Sequence, residues 1–129
     1  MNAKFDDGAV GLTAVVSVQG GLDATNAALF EAHCKKRLAS LAQKSLVIDL
    51  RAANFLSSAG LRSILILGKY VKAAGGRLAI CGLQGVVRET FVISGFLDLF
   101  PVAETLEQAA GLAGGGPPPP GAATPPGHR

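Results

Sequence analysis

The sequence predicts one α/β domain, on three observations. Short apolar runs alternate with stretches whose apolar residues recur at spacings of three and four, the respective marks of strands and helices. Glycine pairs and one proline, Pro101, fall between them. The chain has 129 residues, enough for one hydrophobic core and too few for two. Helices interleaved with strands require a mostly parallel sheet with right-handed crossovers. The hydrophobic fraction is 49% and the charged fraction 16%, the composition of a packed domain. With six Phe, one Tyr and no Trp, the core must be aliphatic.

The first strand signal is 10–18, rich in Val, Leu and Thr. Asp7-Gly8 before it reads as a hairpin turn, which makes 4–6 a short antiparallel partner. Gly20-Gly21 is expected to end the strand. Asp23 is then placed as the N-cap of a helix, because its carboxylate can accept from the unpaired N–H groups of the first turn. That helix carries Ala27, Phe30, Cys34, Leu38 and Leu41 on one face.

Residues 45–50, Ser-Leu-Val-Ile-Asp-Leu, are nearly all apolar, as in a strand buried on both faces. A loop over 51–56 leads to Ser57-Ser58-Ala59-Gly60 and a second helix with Leu61, Ile64, Leu65, Gly68 and Val71 on one face. Gly75-Gly76 stops it, since glycine takes the left-handed cap conformation without a Cβ penalty. Residues 77–81 form the next strand. Leu83, Val86, Val87, Thr90 and Phe91 mark a third helix, and 102–110 a fourth after Pro101. The expected order is ββαβαβαα, with a short further strand near Leu99. From Gly114 onward Gly and Pro dominate, so the domain is read as 1–113 and 114–129 as a disordered tail of polyproline character.

Several function classes fall away. The net charge is +3 with dispersed cations, and the one cluster, Lys35-Lys36-Arg37, reads as a solvated helix face. A nucleic-acid binder would show a basic face with stacking aromatics, so no direct nucleic-acid contact is expected. Cys34 and Cys81 sit in apolar patterns and read as small buried thiols, with no metal-ligand spacing around them. No apolar leader opens the chain and no apolar run reaches membrane length, which predicts a cytoplasmic protein.

Catalytic motifs are incomplete. Ser58-Ala59-Gly60 follows a strand and opens a helix, but Leu56 replaces the first glycine of a nucleophile elbow. The base would have to be His33, on a different helix. Gly82-Leu83-Gln84-Gly85 supplies G-x-x-G without the rest of a phosphate loop. The chain is therefore read as a non-enzyme with no cofactor. What remains is the Ser57-Ser58 pair. One hydroxyl suffices to cap the helix. The competing reading is a hydroxyl exposed at a strand-to-helix turn, where a partner can reach it. A phosphate there adds close to two negative charges, which a helix N-terminus tolerates.

These residues also match a known pattern. Leu46-Val47-Ile48-Asp49-Leu50, then Phe55-Leu56-Ser57-Ser58-Ala59-Gly60-Leu61, resembles the strand and helix start of the STAS-domain anti-sigma factor antagonists, or anti-anti-sigma factors. Gly20-Gly21-Leu22-Asp23, Gly75-Gly76 and Ser94-Gly95-Phe96 match three further pieces in order, over about residues 5 to 110. The resemblance implies a STAS fold, a four- to five-stranded mixed sheet with helices largely on one face. It implies phosphorylation at Ser58, with Ser57 the second choice. The family's Asp falls on Ser57 and its second hydroxyl residue on Ala59, so Ala59 removes one rival acceptor. The partners implied are an anti-sigma factor that is a GHKL-type serine kinase, bound when Ser58 is unmodified, and a PP2C-type phosphatase that restores this form. Asp23, Ser57, Ser58 and Arg62 are the expected partner-binding residues. The competing expectations are a STAS subunit docked permanently on a transporter or signalling complex, with Ser58 only a cap, and a small enzyme or nucleotide binder.

Overall fold

The computed structural model describes residues 3–114. Strands β1 (Ala3–Val10), β2 (Thr13–Leu22), β3 (Leu46–Leu56), β4 (Leu78–Cys81) and β5 (Val102–Ala103) form one sheet in the order β1-β2-β3-β4-β5. β1 is antiparallel to β2, and every other pair is parallel. The helices are α1 (Ala27–Ala39), α2 (Ser58–Ala73), α3 (Gly85–Ser94) and α4 (Leu106–Gly114), with a short 3-10 helix, Phe96–Asp98, after α3.

Strand alternation divides the core in two. Ala14, Val16, Val18, Leu46, Ile48, Leu50, Leu78 and Ile80 face α1, α2 and α3, which contribute Phe30, Ile64 and Phe91 among others. Val15, Val47, Ala79 and Cys81 face the other way, under Ala109, Ala110 and Ala113 of α4. The mixed sheet with helices largely on one face is therefore present, and α4 covers the back.

Six local expectations need correction. The hairpin turn is Gly11-Leu12, not Asp7-Gly8: Val10 pairs with Thr13, while Asp7 and Gly8 pair with Val16 and Val15 inside the ladder. Gly11 supplies the positive φ, +58°, that a two-residue loop needs. Asp7 instead meets α1, where His33 Nε2 lies 2.7 Å and Arg37 Nη1 3.3 Å from its Oδ1. β2 also runs through Gly20-Gly21 to Leu22. Gly20, at φ +86°, absorbs the register irregularity there, as glycine does in a bulge.

β3 continues through 51–56, the expected loop, because its backbone pairs with the end of β2 as far as Leu22↔Leu56. Its polar side chains point outward, and only Ala53 and Leu56 enter the core. Leu83 precedes α3 and is not part of it. The extra strand is β5, not a segment near Leu99, and α4 starts only at Leu106. Pro101 and Ala103 accept from the N–H groups of Ile80 and Gly82, and the Thr105 hydroxyl accepts from Gln108 N–H at 3.1 Å, which sets the helix start.

Other expectations stand. Gly75, at φ +88°, closes α2. Cys34 and Cys81 are buried thiols. In the 35–37 triplet only Lys36 is fully exposed; Lys35 pairs with Glu31 at 3.0 Å, and Arg37 ties α1 to β1. α4 extends through Gly114, and the remainder of the expected tail, 115–129, lies outside the described residues.

Candidate functional site

α2 starts with almost no linker. β3 ends at Leu56, Ser57 is the N-cap, and Ser58 is the first helical residue. Ser57 has an extended backbone, φ −85° and ψ 174°, and its hydroxyl accepts from Gly60 N–H at 3.2 Å. Its own N–H donates to Leu22 O at 2.9 Å, and its carbonyl accepts from Leu61 N–H at 2.9 Å. The capping role is thus taken by Ser57, and Ser58 stands next to it, exposed.

Gly60 fixes this turn against the sheet. A Cβ there would lie 2.8 Å from Leu56 Cδ1, 2.9 Å from Leu22 Cβ and 3.1 Å from Leu22 O. The first turn of α2 therefore rests on the last residue of β2, a contact that only glycine permits. Asp23 follows Leu22 directly, so the turn carrying it borders the start of α2.

Asp23 is not the expected N-cap. That position is Asn26, which makes no side-chain cap bond. The Asp23 carboxylate instead accepts from the Thr25 N–H at 2.9 Å and from the Thr25 hydroxyl, and these bonds hold its carboxyl below the usual range. Asn26 locks the turn from inside, accepting from Asp23 N–H at 3.0 Å and donating to Gly21 O at 2.9 Å. A short polar turn satisfies its own side chains before the helix begins, which moves the cap three residues on. Arg62 lies one turn after Ser58 and is exposed. Ser57, Ser58, Arg62 and the Asp23 turn are therefore gathered around one helix start.

His33 does not belong to this group. It meets Asp7 and stacks near Phe5 on β1, with ring centroids 5.7 Å apart. Lys35, nearly half a turn around α1, is the residue that reaches α2, 5.2 Å over the Tyr70 ring. His33 thus points away from α2, and the nucleophile-elbow arrangement is absent among the described residues. No group of three or more potential metal ligands occurs among them either.

One polar cluster was not anticipated. Asp49 is 5% exposed on the α4 side of the sheet. Ser17 Oγ donates to it at 2.8 Å, and Arg51 donates through Nε at 2.9 Å and Nη2 at 3.0 Å. Burial pushes its carboxyl up, but the bonds from the Arg51 side chain and backbone and from Ser17 outweigh this and hold it low. The sequence signal is Asp49-Leu50-Arg51, an acid and a base two apart on one strand, hence on one face. The cluster fastens β3 to β2 at the mouth of the back face.

Comparisons with known proteins agree with the fold. A family model described as the STAS domain matches residues 1–109. BtrV of Bordetella bronchiseptica, named as an anti-sigma factor antagonist, is 38% identical over 96 residues, 74% of this chain and 82% of that protein. The crystal structure of an anti-sigma factor antagonist from Mycobacterium paratuberculosis is 26% identical with a TM-score of 0.74, covering 84% of this chain and 91% of that one. The unphosphorylated form of the anti-sigma factor antagonist SpoIIAA shares the fold, with a TM-score of 0.71, 23% identity and coverage of 84% and 94%. No described helix is long and apolar enough to cross a membrane.

Proposed function

We propose that this chain, which belongs to the STAS-domain family, is an anti-sigma factor antagonist that acts by partner switching at Ser58. In its unmodified form it binds an anti-sigma factor that is also a GHKL-type serine kinase, and so frees that kinase's target. Transfer of the γ-phosphoryl group of ATP to Ser58 Oγ, with loss of the hydroxyl proton and departure of ADP, releases the kinase. A PP2C-type phosphatase hydrolyses the phosphoserine and resets the cycle. The chain itself is a binding module and the substrate of both enzymes.

The observation that carries this reading is the division of labour between the two serines. Ser57 makes the cap, and Ser58 is exposed beside it on a turn tied to the sheet. A modified Ser58 would therefore leave the helix capped. The first turn of α2 holds no acid to repel a phosphate, and the helix N-terminus favours its charge. Modification then changes the surface and not the fold. A hundredfold loss of affinity requires only about 2.7 kcal/mol, which bulk and charge at one contact can supply.

The experiment is phosphorylation by the cognate kinase with ATP, read by intact-protein and peptide mass spectrometry. One phosphate on Ser58, lost in Ser58→Ala and kept in Ser57→Ala, supports the proposal. Full phosphorylation of Ser58→Ala at another residue would overturn it.

A further inference from the structure

α2 contains no Asp or Glu. Its inward line is Gly60, Ser63, Ile64, Leu67 and Val71. At 3.6 residues per turn the opposite line is Ser58, Arg62, Leu65, Lys69 and Lys72. Ser58, Arg62, Lys69 and Lys72 are exposed, and Leu65 and its neighbour Ile66 are half-buried. On one flank Lys35 of α1 lies over Tyr70 and is paired with Glu31. On the other the Phe100 ring packs against Gly68. The outer ridge of α2 thus carries three cations and is headed by the Ser58 hydroxyl.

We infer that this ridge docks an acidic surface of the partner protein, and that a phosphoryl group on Ser58 weakens that docking twice over, by adding a like charge opposite the partner's acids and by drawing Arg62 into an ion pair one turn along the helix. The inference rests on Ser58 being the phosphorylation site. An anion four residues N-terminal to a cation is the favourable orientation on a helix. Guanidinium matches phosphate oxygens two at a time, which makes Arg62 the preferred partner over the more distant lysines. Phosphoserine carries about −1.5 to −2 charges, so the ridge falls from three positive charges to about one. The same event adds a repulsive group and withdraws an attractive one, the combination that discriminates best between two states.

The occupant is a protein surface and not nucleic acid. Along the axis the three cations are about 10 Å and 5 Å apart at 1.5 Å per residue, whereas a duplex presents one charge per about 1.7 Å. Half-buried Ile66 lies between Arg62 and Lys69, an apolar spot of the kind found inside a protein interface.

The capture is tested on full-length protein with phosphoserine genetically installed at position 58, which needs no kinase. Phosphorus NMR titration should give a second phosphate pKa below about 6, rising by about 0.3 pH unit in Arg62→Gln and by less in Arg62→Lys. An unchanged value in Arg62→Gln would overturn the capture. The docking is tested with the kinase that phosphorylates Ser58 as the probe, titrated against the unmodified chain at low and high salt. Arg62→Glu and Lys69→Glu, with circular dichroism spectra like the parent's, should each weaken binding about tenfold or more, and added salt should weaken the parent. Binding within twofold of the parent in both variants would overturn the docking while leaving phosphorylation at Ser58 standing. So would duplex DNA that bound the ridge more tightly than the kinase did.

Discussion

Helices α1 and α2 leave the sheet from the same ends of two neighbouring parallel strands, yet they begin in opposite ways. α2 begins one residue after its strand; Ser57 N–H on Leu22 O and Gly60 packed against Leu22 hold that start to the sheet, and the Ser57 cap on Gly60 N–H closes its first turn. α1 begins only after a turn from Asp23 to Asn26, held chiefly by its own polar side chains. The first start presents a hydroxyl at a fixed place. The second is a polar rim beside it, with Asn26 as its buried lock and Asp23 on its outer side. Under the proposed switch at Ser58, the first start is what must stay rigid and the second is what a partner can select.

Four perturbations sharpen that contrast. The largest effect is expected on partner binding. Ser58→Asp should bind the kinase at least about a hundredfold more weakly than Ser58→Ala, about 2.7 kcal/mol, with both variants folded. Titration calorimetry measures it, and equal affinities would argue against a charge-sensitive surface. Next, Gly60→Ala should destabilise the domain by about 1–3 kcal/mol in urea unfolding, since the new methyl meets Leu22 and Leu56. Ser57→Ala should cost about 1 kcal/mol through the lost cap. Asp23→Ala, which loses the bonds from Thr25, should cost less than Gly60→Ala, about 1 kcal/mol or below, yet weaken partner binding. A loss at Asp23 as large as that at Gly60 would erase the contrast.

The smallest effect is on pH dependence. The Asp49 carboxyl is held low in the folded state, so its contribution is present above the unfolded carboxylate value near 3.8 and is lost as pH falls through the lower folded value. Urea midpoints should drop below about pH 4, and Asp49→Asn should flatten that drop.

Most of the sheet and the second helix were readable from the sequence, for physical reasons. Residues 46–50, Asp49 apart, and 78–81 are apolar runs because they are buried on both faces. Ser57, Gly60 and Gly75 carry chemistry that only a helix start or end explains. The errors fell where local signals compete with the ladder. Asp7-Gly8 has turn chemistry, but the pairing of β1 with β2 and the grip of His33 and Arg37 on Asp7 keep it in a strand. Residues 51–56 look like a loop because their partners are backbone groups of β2, which leave no periodic trace. β5 has two residues, too few for any pattern. At the site, Ser58, Ser57 and Arg62 were visible as residue types in a pattern. The division of the cap between the two serines was not, because it depends on backbone angles that hydroxyl-bearing neighbours share.

The central claim is that Ser58 is the chemical switch of an exposed, sheet-anchored helix start. The most direct measurement is the site and stoichiometry of phosphate transferred by the cognate kinase, followed by the affinity of the purified product for that kinase. One phosphate per chain on Ser58, with at least about a hundredfold weaker binding than the unmodified protein, is the predicted result. A product phosphorylated on Ser58 that binds as tightly as before would contradict it.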